Sequence, residues 1–175
     1  LLCCNNDIKL LNNVIYGMLK TFKEKPKTGT IGCRLHFEDN TIQHDGILMY
    51  INKIDNRISV THLNLKNYYN YYNSTKEVFG NTGGLMMVRN YTFEKYGMFN
   101  ENYVSCFEDV EVNMNLLSSG FKNYICSECV SYHYESQTRN EDPKNLIKLN
   151  YDYHNNLLPS IKNNIDKIKN NIIII

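Results

Sequence analysis

The sequence predicts an α/β fold built as one domain. Apolar residues alternate with polar ones in some stretches and recur at three- and four-residue spacing in others, which are the patterns of strands and of amphipathic helices. These stretches follow one another as strand, helix, hairpin, strand, helix and strand, an α/β order. With 175 residues, 42% of them hydrophobic, the chain can bury a core of ordinary size.

The first predicted elements are a strand and a helix. Residues 1–4 are apolar and run into Asn5, Asn6 and Asp7, the pattern of a buried strand that ends at a loop. We predict that a helix begins after this loop and ends before Pro26. The apolar stripe of this helix consists of Leu11, Val14, Ile15, Met18, Leu19 and Phe22.

A hairpin and a long loop come next. Residues 31–37 and 42–47 alternate in polarity on either side of a turn, which predicts two antiparallel strands. Residues 51–77 are polar and lack a clear period, so we expect a long surface loop with room for one short element. The glycines at 83 and 84 then form a turn that leads into an apolar strand at 85–88.

Two helices, a strand and a helical tail complete the prediction. A short helix at 91–96 is closed by Gly97, and a second helix runs from about 108 to 119 with Gly120 at its end. Residues 121–134 are rich in aromatic and β-branched side chains, which favours a strand. One or two tail helices are predicted after Pro143 from the spacing of Ile161, Ile165, Ile168 and Ile172.

Composition excludes several classes of function. The formal charge of +1 comes from 19 basic and 18 acidic residues spread along the chain, so no basic face is available to bind nucleic acid. No apolar run is long enough to span a bilayer, and the N-terminal stretch lacks the basic flank of a signal peptide, so we expect a cytoplasmic protein. The six cysteines are too few and too scattered for a disulfide scaffold, and we expect free thiols.

Four residues near the predicted element ends are candidates for chemistry. Asp7 and His133 each lie near the end of a predicted strand, where ligand sites collect in α/β sheets. Glu108 and Asp109 lie side by side at a predicted helix start. Each also has a structural interpretation: Asp7 as a helix N-cap, the acid pair as partners of the helix dipole, and the histidine as a hydrogen-bonded structural group.

Cys126 and Cys129 have the spacing of a metal or redox motif without a second pair of cysteines. Within a regular strand, positions three apart face opposite sides, so this pair is not expected to bind zinc. A Cys/His metal module that binds nucleic acid is therefore the weakest of the functional hypotheses.

Several stretches taken together carry a family resemblance. The segments "NND", "TGG", "FNENYVSCFEDVEVNMNLLSSGF" and "YHYESQTR" occur in an order and spacing that resembles the inverting family 2 glycosyltransferases, in particular the rhamnosyltransferase-like group. The segment "GCRLHFEDNTIQHDGI" is similar to the hairpin that follows the metal loop in that family. The resemblance covers residues 1–139 and implies a nucleotide-diphospho-sugar transferase fold of the glycosyltransferase A type, with a mixed sheet and flanking helices.

On the donor side, the resemblance implies a divalent metal, Mn²⁺ or Mg²⁺, bound by Asp7 and His133, since such ions prefer hard oxygen ligands. Asn5 and Asn6 occupy the position of an acid found in many relatives and are expected to contact the nucleotide-sugar donor. Arg139 matches a basic residue near the donor diphosphate, and a guanidinium suits phosphate oxygens.

On the acceptor side, the resemblance assigns the role of general base to Asp109 and hydrogen bonding of the acceptor hydroxyl to Glu108. Gly83 and Gly84 correspond to a glycine loop beside the acceptor pocket, where a missing Cβ lets a sugar ring approach the backbone. A tight turn before a strand explains the same two glycines without any ligand. The implied partners are a nucleotide sugar and a glycan or other hydroxyl acceptor.

The resemblance also predicts how the domain is divided. In the family, the first nucleotide-binding strands precede the metal loop, so residues 1–140 are expected to be the C-terminal half of a transferase domain and 141–175 a helical tail. The missing N-terminal half would then be a partner of this chain, and the fragment alone is expected to be inactive. The alternative hypothesis is a catalytically inactive remnant that acts as a carbohydrate-binding or interaction module.

Overall fold

A mixed sheet of seven strands lies at the centre of the computed structural model, which describes residues 1–11, 13–68, 74–134 and 143–175. The strands in these ranges are β1 (Leu2–Cys4), β2 (Ile8–Leu10), β3 (Thr28–His36), β4 (Ile42–His44), β5 (Ile47–Ile51), β6 (Ile58–His62), β7 (Lys76–Val78), β8 (Leu85–Val88), β9 (Lys122–His133) and β10 (Ile173–Ile174). The α-helices are α1 (Val14–Glu24), α2 (Asn90–Tyr96), α3 (Glu108–Ser118), α4 (Pro143–Tyr151) and α5 (Leu158–Ile168). A π-helical turn, Asp152–Leu157, joins α4 to α5.

The main sheet combines parallel and antiparallel pairing. Its order is β1-β8-β3-β9-β2, with β4 paired to β3 and β7 paired to β9. The central strands β3 and β9 are parallel, and the other strand pairs of this sheet are antiparallel. This arrangement confirms the predicted α/β class, and the hairpin of β3 with β4 is confirmed as well.

Helices cover both faces of this sheet because side chains alternate along its strands. On β8, Leu85 and Met87 face the cluster formed by α1, whereas Met86 and Val88 pack against Val112 and Leu116 of α3. Burying a side chain of this size contributes roughly 1.5–3 kcal/mol. None of the helices in the described ranges is both long and apolar enough to cross a bilayer.

The C-terminal tail completes a further part of the core. A small sheet has the order β10-β5-β6, and its inner face packs on α3 and α5. The cluster includes Met49 of β5, Met114 of α3 and Ile161 of α5, all with 0% of their surface exposed. The predicted tail helices are therefore confirmed, and their apolar stripe packs against the helix that carries Glu108 and Asp109.

Two predictions of local structure need correction. The helix predicted directly after Asp7 begins later, at Val14, because β2 first pairs with β9. Asp7 is therefore not a helix N-cap, and the structural interpretation of that residue is wrong. The loop predicted over 51–77 contains β6 and the start of β7, since Ile58 and Val60 alternate toward the core and pair with β5; residues 69–73 lie outside the described ranges.

The two thiols of the Cys-x-x-Cys pair lie on the same side of β9, contrary to the prediction. Strand β9 changes register against β3 between the pairs Cys33–Cys126 and Arg34–Val130, so three extra residues bulge out of the ladder. The bulge brings the sulfurs of Cys126 and Cys129 within 3.0 Å of each other in the buried cluster beneath α1. Strand periodicity fails here because a bulge resets which face each residue occupies.

Candidate functional site

One cavity of about 460 Å³ collects most of the predicted site residues. Residues from seven separate segments line it, and those predicted from the sequence are Asn5, Asp7, Gly83, Gly84, Glu108, Asp109 and His133. Asn6 is exposed and does not line the cavity. Arg139 lies outside the described residues.

Strand pairing brings Asp7 and His133 together. Ile8 of β2 pairs with His133 of β9, and the Tyr134 amide donates to the Asp7 carbonyl at 3.0 Å. As a result, Asp7 Oδ1 lies 3.1 Å from His133 Nε2 although 126 residues separate them in sequence. The histidine is 8% exposed and the aspartate is half-buried, so both side chains border the cavity from a well-packed wall.

Gln43 determines which nitrogen of His133 faces Asp7. The Gln43 Oε1 atom lies 2.8 Å from His133 Nδ1, and an amide oxygen can only accept, so Nδ1 carries the proton. When the ring is neutral, the Nε2 lone pair is therefore directed at the Asp7 carboxylate, and the Asn5 amide lies 3.4 Å from the same nitrogen. Asp7 Oδ1 is buried, and its polar neighbour is this ring nitrogen at 3.1 Å.

This arrangement fits a divalent cation. An imidazole lone pair and a carboxylate oxygen repel each other unless a proton or a metal cation lies between them, and a separation of 3.1 Å also suits two adjacent ligands of one octahedral cation, about 3 Å apart. Within the described ranges no group of three or more His, Cys, Asp or Glu side chains is arranged to hold a metal. The two residues could therefore supply part of a coordination shell, with the remaining ligands coming from a bound anion and water.

Asp109 lies at the start of α3, where the glycine loop orients it. The Gly83 amide donates to Asp109 Oδ2 at 2.8 Å, and the Val110 amide donates to Asp109 Oδ1 at 2.7 Å. A carboxylate offers about four lone-pair positions, so acceptor capacity remains on both oxygens. Glu108, one residue earlier, also lines the cavity and is half-buried.

Gly83 lies beside Asp109, and Gly84 lies beside His133 of the Asp7–His133 pair. A Cβ on Gly83 would lie 3.5 Å from the Asp109 Cβ, and a Cβ on Gly84 would lie 3.4 Å from the His133 Cε1. Both are ordinary contact distances, so the packing alone does not require glycine here. The missing side chains leave open space between Asp109 and the Asp7–His133 pair.

A buried network under α3 holds this arrangement together. The Asn113 side chain donates to the Asp109 carbonyl at 2.7 Å and to the Asn81 carbonyl at 2.8 Å, and accepts from the Asn81 amide at 3.1 Å. Asn113 is 0% exposed, so losing these bonds would leave polar groups without partners. The network fixes the glycine loop relative to Asp109.

A histidine pair on the cavity wall was not predicted. Burial, and then the neighbouring His62, lowers the pKa of His44 well below its ordinary value, so its ring is neutral. The Thr82 amide donates to His44 Nε2 at 3.4 Å, so in the neutral ring Nδ1–H donates to His62 Nδ1 at 2.7 Å. Gln43 and His44 both lie in the hairpin segment that carried the resemblance and both are buried on β4, so two polar residues inside a predicted strand were the available signal.

Replacing Gln43 tests the orientation of His133. A Gln43→Leu substitution removes the acceptor for Nδ1–H, so we expect affinity for Mn²⁺ to fall about 10- to 100-fold, the usual effect of losing such an outer partner. Gln43→Glu keeps an acceptor oxygen and should retain the affinity. Isothermal titration with Mn²⁺ measures both, and equal affinity for the Leu and Glu variants would contradict the assignment.

Comparisons with known proteins give distant similarities. No family model matches the chain. The chain is 24% identical over 144 residues to the O-antigen biosynthesis protein RfbC of Myxococcus xanthus, covering 81% of this chain and 11% of that protein. It is 20% identical over 143 residues to the uncharacterized protein y4gI of Sinorhizobium fredii, covering 79% of this chain and 15% of that protein. The chain thus spans only a small part of the length of these two relatives.

Proposed function

We propose that this chain carries the metal, general-base and acceptor side of an inverting glycosyltransferase that builds a glycan. The observation that carries the proposal is the single cavity shared by Asp109 and the Asp7–His133 pair, two chemically different groups separated by the side-chain-free Gly83 and Gly84. The similarity to a protein named for O-antigen biosynthesis supports a role in glycan assembly. The likeness to the family 2 enzymes supports the assignment of the individual roles.

The proposed reaction is a single displacement. The acceptor hydroxyl oxygen forms a bond to the anomeric carbon while the bond from that carbon to the donor diphosphate oxygen breaks, and the hydroxyl proton passes to Asp109. Attack opposite the leaving group inverts the anomeric centre. Glu108 is placed to accept a hydrogen bond from the acceptor, because it lines the same cavity next to Asp109.

Asp7 and His133 are the residues that would hold the cation. When bound, a divalent cation offsets the negative charge that develops on the leaving diphosphate. Asp7 would bind it through Oδ1, and a neutral His133 would bind it through Nε2, because Nδ1 carries the proton that Gln43 accepts. Asn5 lies against His133 and is placed to contact the donor beside the cation.

A non-catalytic module that binds carbohydrate is the second candidate. It is favoured by the small ligand set, since Asn5 and Asn6 stand where many family members have an acid, and no group of three metal-binding side chains occurs in the described ranges. In this case the cavity would bind a saccharide without turning over a donor.

Donor turnover distinguishes the two candidates. The native protein that contains these residues is incubated with a panel of nucleotide sugars and saccharide acceptors, with Mn²⁺ or with a chelator, and release of nucleoside diphosphate is measured. We expect release that requires the cation and is stimulated by an acceptor. Saccharide binding, seen by NMR, without any release would instead support the non-catalytic module.

A further inference from the structure

A buried carboxylate from the tail binds the loop that precedes the acid pair. Asp152 is 0% exposed at the start of the π-helical turn, and its oxygens accept three consecutive backbone amides, from Val104 at 2.8 Å, Ser105 at 2.7 Å and Cys106 at 3.0 Å. Hydrogen bonds to a carboxylate are roughly twice as strong as neutral ones. The loop is therefore attached to the tail at three consecutive positions.

The backbone next to this attachment has an unusual conformation. Phe107, the residue before Glu108, has a φ of 74°, in the left-handed region that costs a residue with a Cβ about 1–2 kcal/mol. Its ring packs against the ring of Tyr153, the neighbour of Asp152, with centroids 6.2 Å apart. Such a conformation persists only where surrounding contacts impose it, and here Asp152 and Tyr153 supply those contacts.

The buried charge of Asp152 has no evident advantage for stability alone. It lies in a region that already contains Glu108 and Glu111, and burial together with the carboxylates of Glu111, Asp152 and Glu108 raises the pKa of Tyr103. A third negative group placed near like charges raises the electrostatic energy of the folded state. The three amide hydrogen bonds offset this cost and at the same time determine where α3 begins.

We propose that Asp152 is a positioning residue for Glu108 and Asp109, so that the C-terminal tail is part of the catalytic unit. The inference rests on the proposed function. The Asp152 carboxylate accepts from the amides of residues 104–106, and the left-handed Phe107 then turns the chain into α3. At the start of α3, Asp109 accepts from the Gly83 amide. Releasing the loop displaces Asp109 from its bond to Gly83 while the Asp7–His133 pair, held by β2 and β9, stays in place.

The test combines amide exchange with kinetics on Asp152→Asn, using Asp166→Asn as the control because Asp166 is exposed on the same tail. In the Asp152 variant we expect the amides of Val104, Ser105 and Cys106 to exchange about tenfold faster, the factor for weakening a charge-assisted hydrogen bond. The Gly83 amide, which Asp152 does not contact, should also exchange faster. Exchange in α1 should not change.

We expect the Asp152 substitution to change kcat, which depends on Asp109, and not the affinity for Mn²⁺, which depends on Asp7 and His133. For Asp152→Asn, kcat should fall about tenfold, while the affinity for Mn²⁺ stays within about twofold of the wild type. Unchanged exchange at Gly83, or an unchanged kcat in a variant whose loop amides exchange faster, would overturn the proposal. If the wild-type protein itself shows no transfer, the proposed function fails, and the Gly83 exchange still decides whether Asp152 positions Asp109.

Discussion

Replacing Asp109 with asparagine is expected to lower kcat for sugar transfer by about 10²- to 10⁴-fold, the usual contribution of a positioned general base. Asparagine has nearly the same shape and can still accept from the Gly83 amide, which lies 2.8 Å from the native carboxylate. It cannot take up the acceptor proton, because an amide oxygen is a very weak base. The donor-side residues do not contact this group, so Mn²⁺ affinity should not change.

The matched control for this experiment is Glu101→Gln, which removes an exposed acid in the turn before the loop. We expect its kcat to stay within about twofold of the wild type, since substitutions at exposed positions seldom matter. A kcat for Asp109→Asn within a few-fold of the control would show that another group removes the proton. Circular dichroism and thermal melting confirm that both variants are folded.

The Asp7→Asn variant should lose cation binding and, in the absence of cation, gain stability. In the native chain with a neutral His133 ring, the Asp7 carboxylate oxygen faces an imidazole lone pair at 3.1 Å. An asparagine amide could donate to that nitrogen, which would turn a repulsive contact into a hydrogen bond worth about 1 kcal/mol. Functional sites commonly sacrifice stability in this way.

Melting temperatures measured with and without Mn²⁺ report both effects. A ligand that binds only the folded state raises the melting temperature, so Mn²⁺ should stabilise the wild type and leave Asp7→Asn unchanged. Donor turnover by the variant should fall on the order of 10²-fold, as when one electrostatic contact to a developing charge is removed. If the cation-free variant melts well below the wild type, the unfavourable contact inferred at His133 does not exist.

The match between sequence pattern and structure is best where the signal is local. The hairpin of β3 and β4, strand β8, and helix α3 with Gly120 beyond its end depend on residues a few positions apart, and each was predicted closely. The strand β2 was not predicted, because it has only three residues and forms through its pairing with β9. Short strands of this kind carry no period of their own.

For the site as well, the sequence identified individual residues but not the partners that they contact. Asp7, Glu108, Asp109 and His133 were identified from their residue types, their positions near element ends and a family resemblance, and the structure places them around one cavity. Their partners were not foreseen. Gln43 orients His133 from 90 residues away, and Asp152 holds Ser105 from 47 residues away.

By itself the sequence determined the α/β class, most of the helices and strands, and the residue types available for chemistry, because hydrophobic period and turn chemistry act over a few residues. The tertiary structure alone decided which groups meet. Strand register places the Asp7 carboxylate against the His133 ring, a bulge in β9 brings two thiols together, and the packing of the tail places Asp152 under the loop. Pairings between distant segments depend on register and packing across the whole core, and no local stretch of sequence contains that information.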